Sequence, residues 1–312
     1  MKKKSGKLNS IKSLISMEDI SSDELKEILN LAEKIKAKPF LKSDLLKSKT
    51  IALIFAKPSL RTRVSFEVGI NQLGGQAVTI KMDEISVGQR ENVDDIANVL
   101  SRYVNGIVIR TFEQSQVEAL GKFSSVPIIN GLSNDEHPCQ AISDLFTIRE
   151  IFKKLSGLKL TYVGDGNNVA QSLLIACALS NINISIACPK NYQPQIRFIR
   201  IAKQINPTIK IEITNDPREA AKNAHILYTD VWTSMGQEKE SEKRKRIFTP
   251  YQINDSLLKL ADKNAVVLHC LPAHKDQEIT ARVFDKFSTV IYEQAENRLH
   301  AQKAILIKIF GG

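Results

Sequence analysis

The sequence predicts an α/β protein with two doubly wound parallel-sheet domains, and three observations support this fold class. Short apolar runs alternate with helical patterns along most of the chain, which is typical of crossover units with helices on both faces of a sheet. A break at Ser156-Gly157 interrupts this alternation, which then restarts. The length of 312 residues suits about two domains, each able to bury its own core.

The first half of the chain predicts one amphipathic helix and then four strands. Ser21 and Glu24 form a capping box, and apolar residues follow them at helical spacing. A long helix is expected to begin at Pro138, because proline suits the first helical turn, and to end near Lys154. The strands are predicted at residues 51–56, 77–81, 107–110 and 126–130.

The second half repeats the alternation, with six predicted strands. The charge-dense segment 237–246 is interpreted as a solvated helix or loop. The last helix, over residues 293–309, follows the final strand and could pack on either domain. The six strands are predicted at residues 159–163, 184–187, 210–214, 225–230, 265–269 and 290–292.

The net charge of the chain is +10 at pH 7, which raises the question of a nucleic-acid partner. Half of this excess lies within residues 1–49, which hold twelve lysines and seven acidic residues. With one Trp and 6% aromatic residues, the chain offers few platforms for stacking bases. A solvated, lysine-rich surface therefore explains the charge better than a nucleic-acid-binding arm.

Neither a membrane segment nor a secretory signal is expected. The longest apolar runs, such as residues 173–179, are much shorter than the ~18 residues of a membrane-spanning helix. The N-terminus lacks the apolar stretch of a signal peptide. The spacing of the four cysteines argues against a zinc site and a disulfide framework, so we expect a cytoplasmic protein without a metal. These cysteines are Cys139, Cys177, Cys188 and Cys270.

Polar residues follow several predicted strands, where open parallel sheets bind their ligands. After the first strand, the chain enters a helix whose N-terminus, with the hydroxyls of Ser59 and Thr62 and a guanidinium, suits a phosphate. Arg61 and Arg63 are two residues apart, so at most one of them should face the anion. A capped helix with surface arginines explains this segment, taken alone, equally well.

Two further segments strengthen the anion interpretation. Arg110 ends the third strand and places a second guanidinium at the same edge of the sheet. The segment His137-Pro138-Cys139-Gln140 begins another helix after the fourth strand. A lone histidine is more often structural, but His137 would converge with Arg110 on this edge. These residues predict an oxyanion-stabilising pocket for a phosphorylated carbonyl compound.

The second half of the chain offers three more polar segments at strand ends. Residues 163–169 match a dinucleotide-binding fingerprint only weakly, because Val169 stands where the third glycine belongs. Asp230 ends a strand and could cap a turn or bind a substrate ammonium. Cys270 ends another strand, and without an adjacent base it is not assigned as a nucleophile.

Four motifs in this order resemble the carbamoyltransferases, and the ornithine carbamoyltransferases fit best. The resemblance runs from about Ile11 to the C-terminus. It implies transfer of the carbamoyl group of carbamoyl phosphate to the δ-amine of L-ornithine, giving L-citrulline and phosphate without a cofactor. The motifs are Ser59-Leu60-Arg61-Thr62-Arg63, His137-Pro138-Cys139-Gln140, the segment from Asp230 to Met235, and His269-Cys270-Leu271-Pro272.

The resemblance also implies a domain organisation. Residues 1–150 and 293–312 would form the carbamoyl-phosphate-binding domain, because the final helix would fold back on the first domain. Residues 151–292 would form the ornithine-binding domain, with the active site in the cleft between the two. A homotrimer with shared active sites is implied as well.

By the same resemblance, individual residues acquire roles. Arg110, His137 and Cys270 would be catalytic, and Gln140 and the backbone around Cys270 and Leu271 would hold the carbamoyl NH2. Carbamoyl phosphate would be bound by Ser59, Leu60, Arg61, Thr62, Ser86, Arg110, His137, Gln140, Cys270, Leu271 and Arg298. Ornithine would be bound by Asn168, Asp230, Ser234 and Met235.

Two positions depart from the family pattern. Leu60 stands where family members usually carry Thr, although its backbone N–H can still contribute to phosphate binding. Ser86 stands where many ornithine enzymes place a Gln that enters the site of a neighbouring subunit. Either Ser86 takes that role, or Gln89 or Arg90 does.

Three alternative functions compete with this interpretation. The nearest is a carbamoyltransferase for aspartate or for an N-acylated ornithine, but Asp230 suits a free α-ammonium better than either substrate. An NAD-dependent dehydrogenase would need a complete dinucleotide fingerprint. A nucleic-acid-binding protein would need a clustered basic face with aromatic residues.

Overall fold

The computed structural model describes residues 11–56, 59–81, 92–234 and 236–311. The chain forms two compact units, one from Met1–Asn134 with Arg298–Gly312 and the other from Asp135–Asn297. Residues 135–150 therefore belong to the second unit, and the end of the last helix belongs to the first. The binding domains inferred from the resemblance, with boundaries at residues 150 and 293, stay predictions.

The first unit contains a four-stranded parallel sheet among the described residues. Its strands are β1 (Thr50–Phe55), β2 (Gln76–Lys81), β3 (Gly106–Arg110) and β4 (Ile128–Leu132). Their order across the sheet is β2-β1-β3-β4. The chain crosses from β1 to one side and then returns to the other, so ligands are expected beyond the carboxyl ends of β1 and β3.

Helices cover this sheet and are capped much as the sequence predicts. The Ser21 hydroxyl accepts from the Glu24 N–H at 3.2 Å, and the Glu24 carboxylate accepts from the Ser21 N–H at 2.8 Å. Ile54 and Ile109 from adjacent strands pack with Val117 in the core. The helices are α1 (Ser22–Ala37), α2 (Leu60–Gln72), α3 (Val93–Tyr103) and α4 (Gln114–Phe123), preceded by a 3-10 turn at Met17–Asp19.

The second unit contains a five-stranded parallel sheet. Its strands are β5 (Lys159–Val163), β6 (Asn183–Ala187), β7 (Ile211–Thr214), β8 (Ile226–Thr229) and β9 (Val266–His269). Their order is β7-β6-β5-β8-β9. The direction of the crossovers changes between β5 and β8, which makes the ends of these strands the expected binding edge of this sheet.

The helices of the second unit include the predicted long helix, which begins at Pro138. Lys153 ends it with a left-handed φ of 57°. Trp232, Phe248 and Val283 pack in the buried core beside the sheet. The helices are α5 (Pro138–Phe152), α6 (Asn168–Ser180), α7 (Ile196–Ile205), α8 (Pro217–Ala221), α9 (Ser241–Phe248), α10 (Asp255–Leu258) and α11 (Ala281–Phe310), with 3-10 turns at Glu238–Glu240 and Thr249–Tyr251.

One predicted strand is wrong. Residues 290–292 lie inside α11, which begins twelve residues before the predicted start of the last helix. Val283, Phe284 and Ile291 are buried at helical spacing, and this longer periodicity outweighs the preference of three apolar residues for a strand. β4 also begins two residues later than predicted, after Pro127, which has no N–H for the strand ladder.

The described helices also bear on a membrane location. None of them combines the length and the apolar composition that crossing a bilayer requires.

Candidate active site

Two guanidinium groups donate hydrogen bonds to the same hydroxyl beside the carboxyl end of β3, where a ligand is expected. The Thr62 Oγ1 atom accepts from Arg298 Nη2 at 2.7 Å and from Arg110 Nη1 at 3.3 Å. Thr62 is 1% exposed and Arg298 is 4% exposed. Because Thr62 Oγ1 accepts both bonds, its own O–H is left to act as a donor. This arginine cluster of Thr62, Arg110 and Arg298 is suited to an anion.

The start of α2 brings Thr62 to this edge, directly after β1. Ser59 occupies the N-cap position, although its hydroxyl makes no capping hydrogen bond among the described residues. Arg61 is half-buried, whereas Arg63 is exposed and pairs with Glu67 at 3.4 Å. The side chain of Leu60 is exposed. Only Thr62 of this motif is thus fully buried against the arginines.

A buried carboxylate lies at the binding edge of the second sheet, where β8 ends. Asp230 is 7% exposed, and its Oδ2 atom accepts from Asn167 Nδ2 at 2.8 Å. Its Oδ1 atom accepts from the Val231 N–H at 2.8 Å and from the Cys270 thiol at 3.1 Å. All of these donors are neutral, so they hold the carboxylate in place without neutralising its charge. We call Asn167, Asp230 and Cys270 the Asp230 cluster.

Asn167 connects this carboxylate to the start of α6. Its Oδ1 atom accepts from the N–H groups of Val169 and Ala170, at 3.0 and 3.3 Å, and from the Tyr162 hydroxyl at 3.1 Å. The amide oxygen is therefore fixed on the helix, and the NH2 group faces Asp230. Asn168 is the first residue of α6, where free N–H groups and the helix dipole suit an anionic ligand group.

The Cys270 thiol is a donor and not a nucleophile. Burial raises its pKa well above the ordinary value, and the negative charge of Asp230 raises it further. The thiol thus remains protonated at neutral pH, which removes the thiolate that nucleophilic catalysis requires.

His269 fixes the turn that carries Cys270 and Leu271. The Leu271 N–H donates to His269 Nδ1 at 2.9 Å, and His269 Nε2 lies 3.0 Å from Glu278 Oε1. Leu271 has a left-handed φ of 59°, a conformation that non-glycine residues adopt mainly where their surroundings enforce it. The backbone after β9 is therefore held in one shape.

The ligand atoms of Asp230, His269 and Cys270 lie within 4.8 Å of one another, close enough to hold a metal ion. Both ring nitrogens of His269 are already engaged, one by the Leu271 N–H and the other by Glu278. Coordination by His269 would break one of these contacts. That the protein binds no metal therefore stays a prediction.

A second buried carboxylate, that of Asp144, lies within α5. Asp144 Oδ1 accepts from Gln140 Nε2 at 2.8 Å and from Gln294 Nε2 at 2.7 Å, and its Oδ2 accepts from the Tyr228 hydroxyl at 2.9 Å. Burial and the charge of Asp144 raise the Tyr228 pKa well above its ordinary value, so Tyr228 stays a donor. The Gln294 Oε1 atom accepts from the His269 N–H at 2.9 Å. We call Gln140, Asp144, Tyr228 and Gln294 the Asp144 network.

A buried ion pair joins the loop after β5 to helix α9. Arg244 donates to the carboxylate of Asp165 and to the carbonyl of Trp232, and it lies over the rings of Tyr192 and Phe248. Burial raises the Asp165 pKa to about 6, and Arg244 opposes this rise. The segment was interpreted as solvated, but Arg244 is buried, so α9 is anchored by its own charged residue.

The other predicted site residues have contacts of their own or lie outside the described residues. His137 is buried, and its N–H donates to Ser172 Oγ at 2.8 Å. The Ser234 N–H donates to Gln237 Oε1 at 3.1 Å. Ser86, Gln89, Arg90 and Met235 lie outside the described residues.

The structure thus brings together two subsets of the predicted site, each within its own unit. Thr62 meets Arg110 and Arg298 in the first unit, and Asp230 meets Cys270 in the second. Sequence reasoning missed Asn167, Asp144 and Arg244. Asp144 had a usable signal, because it lies four residues after Gln140 on the same face of a helix.

Two family models match this chain. The carbamoyl-P binding domain of aspartate/ornithine carbamoyltransferase matches residues 12–150, and the Asp/Orn binding domain matches residues 156–309. The chain belongs to the aspartate/ornithine carbamoyltransferase family. The two matches confirm the predicted family, whose members are transferases.

Relatives within the carbamoyltransferase family are similar over nearly their whole length. The ornithine carbamoyltransferase of Archaeoglobus fulgidus is 48% identical over 303 residues, covering 96% of this chain and 98% of the relative. That of Synechococcus sp. is 49% identical over 299 residues, covering 96% and 97%. These relatives carry the enzyme name that the sequence motifs predicted.

Solved structures of carbamoyltransferases confirm the predicted fold class. The ornithine carbamoyltransferase from Pyrococcus furiosus superposes with a TM-score of 0.93 at 44% identity, covering 97% of this chain and 98% of that one. The enzyme from Gloeobacter violaceus gives a TM-score of 0.87 at 44% identity, covering 96% and 99%.

Proposed function

We propose that the protein transfers the carbamoyl group of carbamoyl phosphate to the δ-amine of L-ornithine, giving L-citrulline and phosphate. The observation that carries this proposal is the pair of oppositely charged clusters. The arginine cluster suits a phosphate, and the Asp230 carboxylate, held by neutral donors, suits an ammonium. The names and high identities of the relatives support the same substrates.

The phosphate and the carbonyl oxygen of carbamoyl phosphate would share one set of donors. Ser59, Arg61, Thr62 and Arg110 would hold the phosphate, and Arg298 would support Thr62. Thr62, Arg110 and His137 would polarise the carbonyl oxygen. Negative charge grows on that oxygen as the amine attacks, so donors placed there in advance stabilise the transition state more than the ground state.

The carbamoyl NH2 would be held by Gln140 and by the backbone around Cys270 and Leu271. This backbone is fixed by His269 and Glu278. Phosphate is a good leaving group, so the amine can attack carbamoyl phosphate directly. A protonated Cys270 thiol fits such a direct transfer, since no covalent enzyme intermediate is needed.

L-Ornithine would bind through its α-amino and α-carboxylate groups, leaving its δ-amine to react. Asp230, with Ser234 and Met235, would hold the α-ammonium, and Asn168 would hold the carboxylate at the start of α6. The δ-amine must lose its proton before it attacks, because its lone pair forms the new C–N bond. The departing phosphate would accept the proton released by the transfer.

We further propose that the enzyme is a cytoplasmic homotrimer. A neighbouring subunit would complete each site with Ser86, Gln89 or Arg90. Sedimentation equilibrium should return three chain masses, and a monomer with full activity would contradict shared sites.

The function is tested by the rate of each candidate amine with carbamoyl phosphate. We expect L-ornithine to react at least ~100-fold faster, in kcat/KM, than L-aspartate or N-acetyl-L-ornithine, because each of these leaves Asp230 unpaired or repelled. The readout is the ureido product, measured by a colour reaction. Turnover of aspartate or N-acetylornithine without turnover of ornithine would contradict the proposal.

A further inference from the structure

We propose that Glu278 is a positioning residue for the carbamoyl group, on which it acts by fixing the tautomer of His269. The inference rests on the proposed function, in which the backbone around Cys270 and Leu271 holds the carbamoyl NH2. Glu278 lies outside the four motifs that predicted the site. It acts on the ligand only through His269 and the turn that follows β9.

The turn after β9 contains two carbonyl groups that can serve a ligand. Within the described part of the chain, the carbonyls of Cys270 and Leu271 accept no hydrogen bond. The Leu271 N–H, in contrast, is occupied, because it donates to His269 Nδ1 at 2.9 Å. A carbonyl oxygen is an acceptor, so these two groups suit the NH2 end of a carbamoyl group.

The position of the Leu271 carbonyl depends on an uncommon backbone conformation. Leu271 has a left-handed φ of 59°, which a residue with a Cβ atom keeps mainly where its surroundings enforce it. The hydrogen bond from its N–H to His269 Nδ1 is the contact that holds this conformation. If that bond were lost, rotation about the N–Cα bond of Leu271 would relieve the conformation and move the carbonyl.

The acceptor at His269 Nδ1 exists in only one neutral tautomer of the ring. Nδ1 can accept from Leu271 only when the ring proton is on Nε2. His269 is 0% exposed, so its Nε2–H needs a partner within the protein, and Glu278 Oε1 supplies one at 3.0 Å. Without Glu278, the buried N–H would be unpaired, and the ring would move its proton to Nδ1 or turn away. Either change removes the acceptor for Leu271.

The Glu278 side chain is held in place by its own contacts. The Glu278 carbonyl accepts from the Ile253 N–H at 2.9 Å, and its Oε1 atom accepts from the His274 N–H as well as from His269. Glu278 is fully buried, yet its Oε2 atom has no hydrogen-bond partner among the described residues. Burial of a carboxyl group with an unpaired oxygen destabilises the fold, so packing alone does not explain this residue.

The experiment measures calorimetric Kd values for two unreactive phosphonates. Phosphonoacetamide carries the carbonyl and the NH2 of a carbamoyl group, whereas methylphosphonate carries the phosphonate without them. The Kd of methylphosphonate divided by that of phosphonoacetamide, which we call the amide ratio, therefore measures what the carbamoyl end contributes to binding. In the unmodified enzyme, the amide ratio should be at least ~10.

Glu278→Met removes the acceptor and keeps the length of the side chain. The amide ratio should fall by about 10-fold, because the turn no longer holds its carbonyls in place. The Kd of methylphosphonate should change by less than about 2-fold, since the arginine cluster is untouched. If circular dichroism shows that this variant does not fold, His269→Phe carries the same expectation, because a phenyl ring offers the Leu271 N–H no acceptor.

A conservative variant and a double variant test the route through His269. Glu278→Gln should keep the amide ratio within about 3-fold, because the His274 N–H requires an oxygen at the Oε1 position and that oxygen also accepts from His269. His269→Asn places an amide oxygen where it can accept from the N–H two residues later. In a His269→Asn background, Glu278→Met should therefore cause no further fall in the amide ratio.

Gln252→Ala is the matched control for a general loosening of this segment. The Gln252 Nε2 atom donates to the carbonyls of residues 276 and 277, at 3.1 and 2.9 Å, directly before Glu278. Its loss should leave the amide ratio unchanged. A fall equal to that in Glu278→Met would assign the effect to the loop and overturn the proposal.

The other outcomes separate this inference from the proposed function. An unchanged amide ratio in Glu278→Met, an equal fall in Glu278→Gln, or a further fall in the His269→Asn background would overturn the role of Glu278. If the unmodified enzyme binds neither phosphonate, the carbamoyl phosphate site of the proposed function fails. If it binds both with equal affinity, the phosphate site stands, but the turn does not hold the carbamoyl end and the inference is overturned.

Discussion

The arginine cluster and the Asp230 cluster carry opposite charges, and both contain hydrogen bonds from or to neutral groups. In the first unit, Arg110 and Arg298 both donate to a neutral hydroxyl, and in the second unit Asp230 accepts from a neutral amide and a neutral thiol. A neutral partner orients a charged group without cancelling its charge. A ligand of opposite charge can then bind beside such a group.

The Asp165–Arg244 pair shows the contrasting arrangement. There a buried guanidinium meets a buried carboxylate directly, so the two charges compensate each other. This pair anchors α9 and the Trp232 backbone instead of offering a charge to a ligand. Because the charge of Arg244 is compensated within the protein, this residue holds the fold.

The largest effect is expected where the arginine cluster loses a guanidinium. Arg110→Ala should lower kcat/KM by at least ~100-fold, because it removes a donor to the oxygen on which charge develops. Arg63→Ala is the matched control, since Arg63 is exposed and pairs with Glu67, and it should stay within about 2-fold. Steady-state rates with both substrates measure the effects. If Arg110→Ala turned over nearly as fast as the unmodified enzyme, the arginine cluster would not be part of the active site.

The next largest effect is expected at the opposite charge. Asp230→Asn keeps the size of the side chain and should raise the KM for ornithine by about 30-fold or more, because a neutral amide no longer compensates the α-ammonium. The KM for carbamoyl phosphate in the same variant serves as the internal control and should change by less than about 3-fold. An equal rise in both values would mean that Asp230 supports the fold and not ornithine.

A smaller effect is expected at the compensated pair, and it should depend on pH. Burial raises the Asp165 pKa from 3.8 to about 6, so the carboxyl becomes protonated as the pH falls below about 6 and the ion pair with Arg244 is lost. Arg244 also holds the Trp232 carbonyl, and Trp232 is the sole tryptophan of the chain. Its fluorescence should therefore change with a midpoint near pH 6. The change should be absent in Asp165→Asn, and a persistent midpoint there would assign it to another group.

The smallest effect is expected at Cys270. Cys270→Ser keeps a donor beside Asp230, so kcat should change by less than about 3-fold. The buried thiol, whose pKa is well above its ordinary value, should also resist iodoacetamide at pH 8 in the native enzyme. A loss of about 100-fold or more in Cys270→Ser would instead indicate a nucleophilic thiol.

The ends of the strands were predictable because apolar runs buried in parallel sheets are continuous in sequence. Arg110 and Asp230 could be placed at binding edges for this reason alone. The strand predicted at residues 290–292 was wrong because three apolar residues do not distinguish a strand from a buried helix. The identity of the arginine partners was less accessible, since Thr62 and Arg298 are 236 residues apart.

Apart from the Gln140–Asp144 contact within one helix, the Asp144 network was beyond prediction for the same physical reason. Asp144 meets Tyr228 and Gln294 at sequence separations of 84 and 150 residues, and no local pattern marks such contacts. Arg244 was misjudged because it lies among exposed charges, and only its position in the folded helix reveals that it is buried.

If each cluster binds one charge of the substrates, a single calorimetric comparison separates their roles. Phosphonoacetamide, an unreactive analogue of carbamoyl phosphate, is titrated into the unmodified enzyme, Arg110→Ala and Asp230→Asn. We expect Arg110→Ala to weaken its binding by about 30-fold or more, whereas Asp230→Asn should change it by less than about 2-fold. Equal weakening in the two variants, or weakening in Asp230→Asn alone, would show that the two clusters do not bind separate charges.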